Sequence, residues 1–148
     1  MLKNKFRQKL LDNEPTVATR IWSTNPFITE TIGLSQNFDY VEFAAEYAAF
    51  NQIDLENICR AAELHDLATS IKIDFQNRAY VAQKAIAAGF QSILFADHEN
   101  AEQVRESINV TMPYTAEDKG HFGYPMRRFI GTQSHLNQMD HAARIRDV

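Results

Sequence analysis

Four short runs rich in β-branched and aromatic residues alternate with four stretches of helical period between Thr16 and Asn109, and that alternation leaves few folds open. The extended runs are Thr16–Ser23 (TVATRIWS), Phe38–Phe43 (FDYVEF), Ala68–Phe75 (ATSIKIDF) and Ser92–Asp97 (SILFAD). Asn25-Pro26 opens a helix running to Ser35, with a capping side chain followed by a first-turn proline. Asp54 is expected to cap a second helix over Leu55–His65, with Leu55, Ile58, Ala62 and Leu64 as its inner side. A third covers Ala79–Ala88 and stops at Gly89, the residue type that tolerates a left-handed helix end. A fourth covers Ala101–Asn109. Strands separated by helices pair in parallel through right-handed crossovers, so the fold class is α/β with a parallel sheet.

The flanks are less periodic. MLKNKFRQKLL places Leu2, Phe6, Leu10 and Leu11 on one stripe of a helix over residues 2–12. From Thr111 to Gln138 the pattern stops, and PYTAEDKGHFGYP reads as a long functional loop or a partner-contacting segment. MDHAARIRDV supplies a last helical turn. The 148 residues suit one domain with one core. Four strand–helix units are half of a (β/α)₈ barrel, yet they also suit a flavodoxin-like open sheet or a half-barrel dimer. The alternation does not choose among these.

Several function classes are disfavoured. A net charge of −4 argues against non-specific nucleic-acid binding, which needs a basic face. Cys59 is the only cysteine, so no disulfide or thiolate metal cluster forms within the chain, and its helical setting reads as a small buried hydrophobe. No run of about 18 apolar residues is present for a membrane span, and the N-terminus lacks the features of a signal peptide. The cytoplasm is the expected compartment.

In parallel α/β folds reactive groups gather at the carboxyl ends of strands and in the loops that follow. Lys72 is the most informative residue there. Side chains alternate along a strand, so Ser70, Lys72 and Asp74 share one face while Ile71 and Ile73 share the other. The isoleucines suit packing under helices, which sends Lys72 inward, where its charge requires a partner such as Glu42 or Glu46. Lys72 is thus a candidate cation for the carboxylate and oxo group of a 2-oxo acid, or a Schiff-base amine if burial lowers its pKa. A structural ion pair is the alternative. Tyr47, beside Glu46, is a candidate proton donor or a residue that covers the rim. Asp97, His98 and Glu99 are expected to do no more than form the entry of the next helix, and His65 suits a helix C-terminus. His121, His135 and His141 lack metal-ligand spacing, and no glycine-rich phosphate loop appears.

The run FDYVEFAAEYAAFNQIDLENICRAAELHD resembles the second strand and helix of the HpcH/HpaI aldolases. The resemblance continues through TSIKIDFQNRAYVAQKAIAAGFQSILFADHENAEQV into YTAEDKGHFGYPMRRF, covering nearly all of the chain from Asn4. It implies a (β/α)₈ barrel of which about the first four units are present, a carbon–carbon lyase cleaving or forming 2-oxo acids through a pyruvate enolate, and a homo-oligomer. It also implies a divalent metal (Mg²⁺, Mn²⁺ or Co²⁺) that takes the enolate charge, with an aldehyde as the second reactant. Members of the family carry Asp-Gly-Glu-His after the second strand; the aligned residues here are Ala44-Ala45-Glu46-Tyr47. Lys72 aligns with the family's pyruvate-binding arginine, keeping the charge without the planar fork. The resemblance implies catalytic roles for Lys72, Tyr47 and Glu46 and substrate contacts for Lys72, Asp74, Arg127 and Arg128, with His121 and Tyr124 in the same loop. The family's metal carboxylates belong to strands five and six, which would lie beyond Val148. On that count a non-catalytic half barrel, assembling with itself or with a separate C-terminal half, stands beside the enzyme.

Overall fold

The computed structural model describes residues 3–124, 128 and 137–148. In chain order these form α1 (Lys5–Leu11), β1 (Ala18–Ile21), α2 (Pro26–Ser35), β2 (Tyr40–Ala44), α3 (Gln52–Glu63), β3 (Ala68–Ile73), α4 (Arg78–Ala88), β4 (Ser92–Phe95), α5 (Ala101–Thr111) and α6 (Gln138–Ile145). The four strands are all parallel and lie in the order β1-β2-β3-β4.

That order decides what the sequence left open. A doubly wound sheet reverses direction at a switch point and carries helices on both faces. Here every right-handed crossover steps the same way, so α2 to α5 all cover one face. The register makes this concrete. Ile21, Phe43, Ile71 and Ile93 are lateral neighbours, and Phe43, Ile71 and Ile73 are fully buried in the core beneath the helices. The other face carries Arg20, Glu42, Ser70 and Ser92 in one lateral row, and Ala44, Lys72 and Leu94 in the next. One greasy face under helices and one polar face left open is the pattern of a half barrel.

Local signals explain most element boundaries. Pro26 occupies the first turn of α2, whose cap Asn25 accepts a hydrogen bond from Phe27 N. α3 starts earlier than expected, because Asn51 and not Asp54 is its cap. Asn51 Oδ1 accepts from Ile53 N and Asp54 N, while Asp54 reaches back to Asn51 N at 2.8 Å, a reciprocal box. Leu64 is not on the inner side of α3; it is 71% exposed. At about 100° per residue it falls opposite Leu55, nine positions earlier. Leu55, Ile58 and Ala62 are fully buried, joined by Cys59. Gly89 ends α4 at φ 115°, and a Cβ there would also meet Arg128 Nη1 at 2.7 Å. α5 is capped by Asn100, so neither Asp97 nor His98 does that work.

The flanking helices close the end of the sheet where the strands begin. Of the apolar stripe expected on α1, Leu10 and Leu11 are exposed, Phe6 is half-buried, and Leu2 lies outside the described residues. Polar ties and one ring contact hold the helix. Asn4 Nδ2 donates to Gln91 O and Asp147 O at 2.8 and 2.6 Å, Lys5 pairs with Asp66, Lys9 pairs with Asp39 at 2.6 Å, and Phe6 stacks on Tyr40. Within the 111–138 stretch, Met112–Tyr124 forms turns around a bridge between Pro113 and Phe122. α6 docks through Ile145 onto Ile86 and Phe122, and Arg146 pairs with Asp118 at 2.7 Å. Among the described residues no helix is long and apolar enough to cross a membrane.

Candidate active site at the carboxyl ends of the strands

β2 ends at Ala44 and β3 at Ile73, and the register sets Lys72 beside Ala44. The three residues after Ala44 therefore turn over the same end of the sheet that Lys72 reaches. Lys72 forms an ion pair with Glu46, the two side chains being 20% and 15% exposed. Its ammonium also stands 5.2 Å from the centroid of the Tyr47 ring, within cation–π range. Tyr47 itself faces solvent. Lys72, Glu46 and Tyr47 form one cluster.

The electrostatics follow from the pair. Hydrogen bonding to Glu46 raises the Lys72 ammonium above its ordinary value, against the opposing effect of burial. Hydrogen bonding to Lys72 holds the Glu46 carboxyl below the usual range, burial again opposing and Tyr47 and Arg20 adding smaller contributions. Near neutral pH the pair is an ammonium facing a carboxylate. A Schiff-base amine is expected only if burial lowers the Lys72 pKa; here the neighbouring carboxylate outweighs burial, which favours the ammonium.

Glu42, the other partner considered for Lys72, belongs to Arg20. Arg20 Nε donates to Glu42 Oε1 at 2.6 Å, because the register places these two residues side by side on β1 and β2. Glu42 is buried while Arg20 stays half-exposed. Below Lys72, Ser70 and Ser92 bring their hydroxyls within 3.4 Å. The reading from sequence overlooked Arg20. A lone cation in the β-branched run TVATRIWS was the signal, but its neighbour became visible only with the register.

The remaining candidates lie apart from the cluster. Asp74 sits just past β3, and its Oδ1 accepts from Asn77 N and Nδ2 at 2.8 and 3.1 Å, securing the turn into α4. Arg128 pairs with Glu63 and donates to Ala88 O at 3.1 Å. Glu63 and Ala88 end α3 and α4, and these helices run antiparallel to the strands, so Arg128 lies at the opposite end from Lys72. Arg128, a candidate for substrate contact from the sequence, is thus held at the strand beginnings by Glu63 and the α4 terminus and is not brought together with Lys72. Arg127 and His135 lie outside the described residues. His121 is exposed, near the C-terminal end of α5, where its N–H donates to Asn109 O. Tyr124 hydrogen-bonds the buried His141, whose imidazole is held below its ordinary pKa chiefly by burial. His98 bonds Ser107 Oγ at 2.8 Å, and His65 packs against Gly33. Burial pushes the Cys59 thiol up to about 12, which removes it as a nucleophile.

Among the described residues no three His, Cys, Asp or Glu side chains gather as metal ligands. Glu46, the one carboxylate at the cluster, is already spent on Lys72. These side chains do not fit the divalent ion that the resemblance implies.

No protein-family model and no curated protein sequence matches the chain. Solved structures do. An HpcH/HpaI aldolase from Desulfitobacterium hafniense DCB-2 superposes with a TM-score of 0.78 at 20% identity, covering 95% of this chain and 52% of that one. An HpcH/HpaI aldolase/citrate lyase family protein from Burkholderia cenocepacia J2315 gives 0.80 at 18% identity, covering 98% and 57%. Macrophomate synthase gives 0.67 at 18% identity, covering 99% and 50%. The chain spans about half the length of the structures it matches. The likeness establishes the fold: four β/α units arranged as in one half of the barrels of HpcH/HpaI aldolases.

Proposed function

We propose that the chain is the substrate-side half of a carbon–carbon lyase of the HpcH/HpaI aldolase kind, acting on a 2-oxo acid by way of the enolate of pyruvate. The observation that carries this reading is the Lys72–Glu46–Tyr47 cluster at the carboxyl ends of β2 and β3, on the open polar face. Such strand ends are where barrels of this class do their chemistry. The barrel likeness to aldolases supports the reaction class.

In this reading Lys72 remains an ammonium and binds the carboxylate and oxo oxygen of the substrate, offsetting charge that grows on that oxygen as the enolate forms. Glu46, held ionised, is a poor proton acceptor; it orients Lys72. Tyr47, exposed at the rim, protonates the aldehyde oxygen as the enolate carbon adds to it, and in the reverse direction its oxygen takes that proton back from the substrate hydroxyl as the carbon–carbon bond breaks. The second reactant is an aldehyde, and the compartment is the cytoplasm. The testing experiment is deuterium exchange into the methyl group of pyruvate in D₂O, followed by proton NMR. The chain is expected to accelerate exchange and Lys72→Met to abolish it. Equal exchange by the two proteins removes Lys72 from the mechanism.

A second reading, a non-catalytic half barrel that pairs with itself or with another half, has its own support. β1 and β4 are the outer strands of the sheet, and the helices beside them expose apolar side chains: Phe27 and Leu34 on α2, Val104 and Ile108 on α5. Open strands with greasy flanks call for cover. Sedimentation equilibrium tests it: a dimer or larger supports the reading, and a stable monomer counts against it.

A further inference from the structure

The inner face of the sheet holds two cations, Arg20 on β1 and Lys72 on β3, each beside a carboxylate of the strand or turn between them. The two pairs are built differently. Lys72 is a point charge largely covered by Glu46. Arg20 is gripped from one side only: its Nε donates to Glu42 Oε1 at 2.6 Å, and Glu42 is itself 8% exposed. A buried carboxylate on Nε fixes the plane of the guanidinium and leaves the end-on edge between Nη1 and Nη2 as a second donor pair. Among the described residues these nitrogens carry no hydrogen bond, and the Arg20 side chain is 47% exposed. A planar fork held by a carboxylate and open at its tip is the geometry that recognises a carboxylate bidentately.

The spacing fits a ligand that reaches both cations. Arg20 and Ser70 lie in one lateral row with Glu42 between them, and Lys72 is one pleat further towards the strand ends. Two strand spacings and one pleat put the two backbones roughly 12 Å apart. The charge of Arg20 is felt at both Lys72 and Glu46, so the two cations share one patch of this face, and a short diacid is the ligand class that bridges two such charges.

We propose that Arg20 is a specificity-determining residue of this site, its terminal guanidinium nitrogens taking a second acidic group of the ligand, remote from the 2-oxo end held at Lys72. The assignment rests on the reading of Lys72 given above. It makes the preferred ligand class 2-oxo diacids over pyruvate. Glu42 is the positioning residue that presents the fork.

The experiment is isothermal titration of the 148-residue chain with pyruvate and with 2-oxoglutarate, at fixed ionic strength, in the wild type, Arg20→Gln, Arg20→Lys and Lys72→Met. The wild type is expected to bind 2-oxoglutarate about tenfold more tightly than pyruvate, the scale of one charge-assisted bidentate contact at a half-exposed site. Arg20→Gln erases that preference without changing the affinity for pyruvate. Arg20→Lys, which keeps a cation beside Glu42 and so guards against loss of folding, recovers only part of the preference because it lacks the fork. Lys72→Met weakens both ligands alike. Equal affinity for the two ligands in the wild type overturns the role of Arg20 and leaves that of Lys72 standing. A preference that survives in both Arg20 variants does the same. No binding of either ligand by the wild type overturns both.

Discussion

Replacing one buried outward-facing residue and one inward-facing residue on adjacent strands tests the half-barrel assignment at its root. Ile73 on β3 is 0% exposed beneath the helices, whereas Leu94 on β4, on the opposite face, is 42% exposed. Truncating a fully buried isoleucine to alanine loses its transfer free energy and leaves a cavity, about 3–4 kcal/mol together. Leu94 already meets water over much of its surface, so its truncation costs about 1 kcal/mol or less. For a domain of this size each kcal/mol moves the Tm by about 2–4 °C. Ile73→Ala is thus expected to lower the Tm by roughly 10 °C. The corresponding shift for Leu94→Ala is at most about 4 °C. Urea unfolding followed by far-UV circular dichroism reads both free energies, and an unchanged m-value confirms that the denatured state is the same. Equal, large losses at the two positions would refute the reasoning. They would mean that both faces of the sheet are covered, as in a doubly wound fold.

Two further predictions concern the flanks of the sheet. Asp39, held below the usual carboxylate range by Lys9 and by the Val17 N–H, contributes stability that is full above its ordinary value of 3.8 and is lost as pH falls through the lower folded value. Asp39→Asn should therefore lower stability at pH 7, with the gap from the wild type shrinking at acid pH; a gap independent of pH contradicts the pairing. Gly89→Ala should cost at least about 1 kcal/mol in urea unfolding, because φ 115° is unfavourable for an L side chain and Arg128 crowds the added methyl. A neutral result there contradicts the turn geometry.

What the sequence disclosed and what it hid divide along physical lines. The alternation in ATSIKIDF was enough to send Ile71 and Ile73 to the helices and Lys72 to the other face, because a period of two needs no knowledge of neighbours. Helix existence was equally legible from periodicity and from Gly89 and Pro26. Caps were less so: Asn51 and Asp54 are both capping residue types, and only the reciprocal geometry separates the cap from the third position. An apolar count alone puts Leu64 on the inner side of α3, whereas the helical angle turns it to solvent. Strand order and register were invisible in one dimension, and with them the pairing of Arg20 with Glu42. Arg128 shows the same limit. Nothing local in GHFGYPMRRF tells that its partner is Glu63, 65 positions earlier.

The measurement closest to the central claim is the affinity of the chain for pyruvate with and without the Lys72 ammonium. Amide chemical-shift titration is expected to move the signals of Glu46, Tyr47 and Lys72 together in the wild type, and in Lys72→Arg, which retains the charge. Lys72→Met should remove the response while leaving the rest of the spectrum folded. Pyruvate-dependent shifts that persist in Lys72→Met, or that appear only away from the carboxyl ends of β2 and β3, would contradict the account.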